Sequence, residues 1–203
     1  MNDGPTGIGL IDAAAAGDVD SLRALLETSE LDLNVRDTRG RTALMAATYA
    51  NQPAAVELLL QAGADVDLQD DILNNPFLYA GAEGLMEILE LTHKAGADPT
   101  IRNRYGGVAI IPASEKGHLE AVRYLLDETD VDVNHINNLG WTALLEAVIL
   151  TDGSEVFQQI VAELIAHGAD VTIADGDGVT PLQHARQRGY REIEAQLVAA
   201  GAE

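Results

Sequence analysis

Cysteine is absent from this 203-residue chain. That excludes disulfide staples, thiolate chemistry and cysteine-held zinc. Aromatic residues supply only 4% of it, so its interior must be built from Ala, Leu and Val, side chains small enough for helices to approach closely. Basic residues are scarce, 12 against 33 acidic, for a formal charge of −21. Such a surface repels phosphate backbones and anionic headgroups, so neither nucleic acid nor a membrane is an expected partner. It favours encounter with a protein carrying a basic patch, although charge of this size also serves simply to keep a chain in solution. No apolar run approaches the ~18–20 residues that span a bilayer. The opening MNDGPTGIGLIDAAAAGD has no basic stretch ahead of its short apolar one, so no secretion signal is read and a cytoplasmic protein is expected.

What is present is a repeat, the feature that decides the fold when it exists. Thr42-Ala43-Leu44, Asn75-Pro76-Phe77 and Val108-Ala109-Ile110 recur at a fixed spacing, followed by Thr142-Ala143-Leu144 and Thr180-Pro181-Leu182. Three residues beyond each Leu-like position stands an Ala: Ala47, Ala80, Ala113, Ala147 and Ala185. Ile8-Gly9-Leu10 with Ala13 extends the series backwards, which makes six units. A second phrase keeps step: Leu58-Leu59-Leu60 precedes Gly63-Ala64-Asp65, and Leu164-Ile165 precedes Gly168-Ala169-Asp170. Each unit reads as two short helices ended by Gly or Asn. In the second unit Thr42 caps a helix over 43–50, Pro53 opens the next, and Val56, Leu59 and Leu60 form its apolar stripe. One such pair cannot cover its own apolar face; stacked neighbours can.

The chain resembles the ankyrin-repeat family, whose unit carries Thr-Pro-Leu-His-x-Ala and a later Gly-Ala-Asp. Thr180-Pro181-Leu182-Gln183-His184-Ala185 is the nearest copy, and Gly117-His118 matches the pair that opens the second helix. The resemblance covers essentially the whole chain and is similar to small stand-alone bacterial members. It implies an all-α solenoid of six helix-turn-helix units, an L-shaped stack whose β-turn fingers and first helices line a concave groove that binds another protein. The expected organisation is a single domain with units at about 1–36, 37–69, 70–102, 103–136, 137–174 and 175–203, the outer two acting as caps.

Two units depart from the pattern. The fifth carries extra residues near ILTDGSEVFQQ, where Asp152-Gly153-Ser154 signals a turn and Ser154 can cap the following helix. The fourth lacks the Thr and places Pro112 inside its first helix, which predicts a distorted or late-starting helix. Family-equivalent contact positions fall on Arg39, Arg41, Tyr49, Ile72 and Asn74 in the second and third units. In the fourth and fifth they fall on Arg104, Tyr105, Glu115, Lys116, Leu139 and Trp141, with Arg102 close by. Trp141 is the only Trp, and Trp, Tyr and Arg are the usual anchors of protein interfaces. The finger arginines have a second possible use, pairing with Asp37, Asp70 or Asp71.

No enzyme is expected. The histidines His93, His118, His135, His167 and His184 show no metal-ligand spacing, and no Gly-x-Ser-x-Gly or Walker pattern occurs. Asp175-Gly176-Asp177-Gly178 hints at a calcium loop, but Arg186 falls where the bidentate Glu should be. The expected function is a monomeric, non-catalytic protein-interaction module with no cofactor or metal. The alternatives are a small-molecule or ion site around Tyr105, Lys116 and Trp141, or a self-associating scaffold.

Overall fold

The computed structural model describes residues 5–27 and 31–203. The first four residues, part of the stretch read for a secretion signal, lie outside them. Among the described residues the fold is helical and contains no strand. In chain order the helices are α1 (Pro5–Ala16), α2 (Val19–Leu26), α3 (Ala43–Tyr49), α4 (Pro53–Gln61), α5 (Pro76–Glu83), α6 (Met86–Lys94), α7 (Ile110–Glu115), α8 (Leu119–Glu128), α9 (Ala143–Ile149), α10 (Glu155–Ala166), α11 (Pro181–Arg188) and α12 (Arg191–Ala199). They cluster into two compact units. One holds the described residues up to Ala80 with Leu85–Ile101, and the other holds Gly81–Gly84 with Arg102–Glu203.

Short helices form at these places because their ends are capped. Thr42, Thr142 and Thr180 each accept a hydrogen bond at Oγ1 from the backbone N–H three residues on. Thr180 completes a capping box with Gln183, whose Oε1 accepts from the Thr180 N–H at 3.0 Å. α4 begins at Pro53 as the sequence predicts, burying Ala55, Val56 and Leu59 while Leu60 is only half-buried. α7 lacks a side-chain cap and starts at Ile110, which leaves Pro112 in the first turn, where its missing N–H has no intrahelical partner to lose. The late start expected of this helix is therefore what forms. At the insertion, Ser154 occupies the N-cap position but its hydroxyl makes no capping bond, a correction to the sequence reading. The loop is fixed otherwise: Asp152 Oδ1 accepts from the Ser154 N–H at 2.9 Å, and the Tyr190 hydroxyl donates to the Thr151 carbonyl. Gly153, at φ 69°, lies so close to the Tyr190 ring that a Cβ would collide with it.

In the first unit α1 packs on α3, and α4 packs on α2, α3 and α6. Leu10, Leu22, Leu44, Met45, Leu59, Ile88 and Leu89 are completely buried there. In the second unit α9 lies between α7 and α11 and against α10, so Ala143–Val148 are all buried. A helix held on three sides needs small or apolar residues around its whole circumference, which explains ALLEAVI, apart from its one Glu. Each buried Leu or Ile contributes roughly 1.5–3 kcal/mol.

The cap of α5 differs from the three Thr caps. Asn75 replaces Thr, and its Oδ1 accepts from the Leu78 N–H at 2.8 Å, but its fully buried Nδ2 has no partner. A buried amide donor left without an acceptor costs about 1–3 kcal/mol. Asn75→Thr keeps the cap and removes that donor, and is expected to raise stability by about 1 kcal/mol in urea unfolding.

Candidate functional site

Among the described residues five tight turns stand between the helix pairs, built on one rule. An Asp or Asn opens each, and its backbone N–H donates to the carbonyl four residues on: Asp37 to Arg41 (3.0 Å), Asp70 to Asn74 (2.9 Å), Asn103 to Gly107 (2.9 Å), Asn137 to Trp141 (3.0 Å), Asp175 to Val179 (3.0 Å). The side-chain Oδ1 of the opening residue accepts from the N–H groups two and four residues on, as Asp37 does from Arg39 (2.8 Å) and Arg41 (2.9 Å). Asp70, Asn103, Asn137 and Asp175 repeat that pair of bonds. Asp and Asn carry an acceptor at the right reach for this turn, which Ser and Thr supply only more weakly. The fourth residue has positive φ: Gly40, Gly106, Gly140 and Gly178, but Leu73 at 60° in the second finger. Neighbouring fingers join through their backbones, Asp71 N–H to the Arg39 carbonyl (3.1 Å) and Asn138 N–H to the Tyr105 carbonyl (2.9 Å).

What distinguishes the fingers is the other atom of the opening side chain. Asp37 Oδ2 accepts from Arg41 Nε at 2.7 Å and pairs with Nη2 at 2.6 Å. Burial pushes that carboxyl upward, but the Arg41 side chain and the two finger N–H groups outweigh it and hold it below the usual carboxylate range. Arg41 is thus the intramolecular pair the sequence allowed for. Asp70, buried, accepts at Oδ2 from the Tyr49 hydroxyl at 2.6 Å, and Asn74 Nδ2 donates to that same hydroxyl at 3.0 Å. Burial first, then the Asp70 carboxylate, pushes the Tyr49 phenol to about 12. Its ring stands edge-on to Tyr79, centroids 4.4 Å apart.

In the first unit these residues enclose a cleft of about 450 Å³ lined by Thr38, Arg39, Arg41, Tyr49, Asp70, Asp71 and Ile72. Of the residues predicted from sequence, Arg39, Arg41, Tyr49 and Ile72 meet there. Asn74 supports Tyr49 from beside it. Ile72 and Leu73 are exposed at the second fingertip.

In the second unit Tyr105 is 51% and Leu139 55% exposed, on fingers that share a backbone hydrogen bond. Arg104 lies over the Tyr105 ring, 4.8 Å from its centroid, and donates from Nη2 to its hydroxyl at 3.0 Å. Arg102 is exposed. Trp141 is half-buried at the base of its finger. Lys116 is ion-paired with Glu83, and Glu115 is half-buried. Tyr105 and Leu139 therefore stand out at the tips, while Trp141, Glu115 and Lys116 are partly covered or already paired.

Sequence reasoning missed Glu146. It is 5% exposed in α9, and its Oε1 accepts from Asn137 Nδ2 at 2.8 Å. Burial, then the nearby Glu115 charge, raises its carboxyl to about 7, against the opposing Asn137 bond. The matching position in α11 is His184, whose Nε2 lies 2.7 Å from Asp175 Oδ2. The available signal was register: Glu146 aligns with Ala46, which lies in the buried run Ala43–Thr48 of α3.

Fold and fingers together define a helical repeat protein with a turn-built surface, and comparison with known proteins assigns the family. The family model for ankyrin repeats matches residues 4–70 and 77–175. The chain belongs to the ankyrin-repeat family. It is 43% identical over 190 residues to the ankyrin repeat protein YahD of Escherichia coli K12, covering 94% of each. Its fold superposes on the crystal structure of an ankyrin repeat domain from Acinetobacter baumannii with TM-score 0.93 at 54% identity, covering 96% of this chain and 98% of that one. Human cyclin-dependent kinase inhibitor 2A is 35% identical over 122 residues, 60% of this chain and 77% of its own. The architecture is thus an ankyrin solenoid, and ankyrin repeats in general mediate protein–protein contact as non-enzymatic scaffolds. Among the described residues no helix is long and apolar enough to cross a membrane.

Proposed function

We propose that this chain is a non-catalytic protein-interaction module that docks a partner on its fingertips. The observation that carries this reading is the pair Tyr105 and Leu139, each more than half exposed on consecutive fingers. The finger bonds run through the backbone and the Asn side chains, so the fold does not need these two apolar groups at the tips. A Tyr presented on a rigid turn loses little freedom on binding and is a usual interface anchor, and Leu139 adds apolar area on the neighbouring finger. Arg104, stacked on Tyr105, adds a guanidinium beside the ring. The related kinase inhibitor is named for an action on another protein, which supports the same class of role. The acidic remainder of the surface steers a partner with a basic patch and disfavours nucleic acid and anionic membranes. The chain acts as a monomer in the cytoplasm.

Affinity capture from cytoplasmic extract, with the bound protein identified and its affinity measured, tests this. Tyr105→Ala with Leu139→Ala is expected to weaken binding by about thirtyfold or more, from about 2 kcal/mol for such an anchor. The thermal midpoint should stay unchanged, because both side chains are exposed. Undiminished binding by the double variant would overturn the assignment of these fingertips.

A further inference from the structure

The cleft of the first unit has an unusual charge balance for so acidic a chain. Most of its polar side chains are committed: Arg41 to Asp37, Asp70 to two finger N–H groups and the Tyr49 hydroxyl, and that hydroxyl to Asp70 and Asn74. The Tyr49 ring, not its hydroxyl, is therefore left for a ligand. Two charges are uncommitted. The Arg39 guanidinium makes no side-chain hydrogen bond or ion pair among the described residues, and neither does the Asp71 carboxylate. Both line the cleft and both are exposed. Asp71 is held against the backbone of the first finger, since a Cβ on Gly40 would collide with its Oδ1. The same cleft is lined by Tyr49 and by Ile72, the latter 44% exposed. Beside Ile72, Leu73 is kept at φ 60° where the other fingers use Gly, so this tip carries a second apolar side chain at a conformational cost.

We infer that this cleft is a docking site for an extended peptide segment of a protein partner, one apolar side chain flanked by an acidic and a basic residue. The inference rests on the protein-interaction reading above and places a second contact on it, on the other unit. The apolar side chain fills the space between Tyr49 and Ile72; about 450 Å³ is within the range of pockets that hold small ligands, roughly 300–1,000 Å³. The acidic residue pairs with Arg39, which offers a planar two-pronged donor to a carboxylate. The basic residue pairs with Asp71. A segment of mixed sign is required because the net charge of −21 repels one that is only acidic.

The test is an NMR titration of the full chain with capped tripeptides. Ac-Glu-Phe-Lys-NH2 is expected to shift the amides of residues 38–41, 49 and 70–73. Ac-Gln-Phe-Lys-NH2 should bind at least about threefold more weakly and Ac-Glu-Gly-Lys-NH2 weaker still. Arg39→Gln, an exposed substitution, should erase the preference for Glu over Gln while leaving the preference for Phe over Gly. Absence of shifts, shifts confined to other residues, or a Glu preference that survives Arg39→Gln would each overturn the inference. These results do not depend on the capture experiment: Tyr105 and Leu139 can fail as anchors while the cleft binds its probe, and the reverse.

Discussion

Glu146→Gln should stabilise the protein above neutral pH by about 3 kcal/mol and flatten its pH dependence. In the native state the Glu146 carboxyl titrates near 7, against an ordinary value of 4.5. Each tenfold loss of acidity is worth about 1.4 kcal/mol. Between those two values the folded state binds one more proton than the unfolded state, so stability falls as pH rises. Below 4.5 the carboxyl is protonated in both states and the penalty vanishes; above 7 it is complete. Gln keeps the acceptor that Asn137 Nδ2 reaches at 2.8 Å and cannot ionise. Urea unfolding of both proteins at pH 4, 6 and 8 measures the effect. The difference between them should be near zero at pH 4 and largest at pH 8. Equal differences at all three would mean that Glu146 is not held neutral by burial. Asn137 also holds the Leu139 and Trp141 N–H groups, so ionisation of Glu146 acts on the finger proposed to meet the partner.

Asp70→Ala is expected to cost about 3 kcal/mol. It strips acceptors from the Ile72 N–H (3.0 Å), the Asn74 N–H (2.9 Å) and the Tyr49 hydroxyl (2.6 Å), at roughly 1 kcal/mol each. The same change should lower the Tyr49 phenol from about 12 toward its ordinary 10.0, because one of the two main causes of the rise is removed and burial remains. Phenolate absorbance in an alkaline titration reads this once the curve of the matching Tyr49→Phe variant is subtracted, which removes the other four tyrosines. Asp70→Asn provides the control: its Oδ1 keeps both finger bonds and its amide can donate to the phenol oxygen, so most of the loss should be recovered. A Tyr49 titration unmoved in Asp70→Ala would show that burial alone sets it. The experiment also probes the cleft, since Asp70 is what turns the Tyr49 hydroxyl away from a ligand.

Much of this architecture is written in short sequence phrases, and for a physical reason. Thr42, Thr142 and Thr180 cap because an Oγ1 can reach an N–H three residues away whatever surrounds it. Pro112 delays α7 because a missing N–H and a fixed φ act within a single turn. The arginines were harder to read. Arg41 sits four residues from Asp37 and pairs with it locally, yet Arg39, two residues from the same Asp, remains free. Sequence spacing offered both outcomes for each of them.

The sequence by itself determined the repeat, its helix pairs and the positions of its turns, because caps, apolar stripes and Asx turns act over two to four residues. Tertiary structure alone decided which exposed groups stay available. Tyr49 reaches Asp70 across 21 residues, and Glu146 is buried because α7 and α11 close over α9. Such relations depend on the offset between stacked repeats, and a change of a few ångströms there would leave every local motif intact while pairing different side chains.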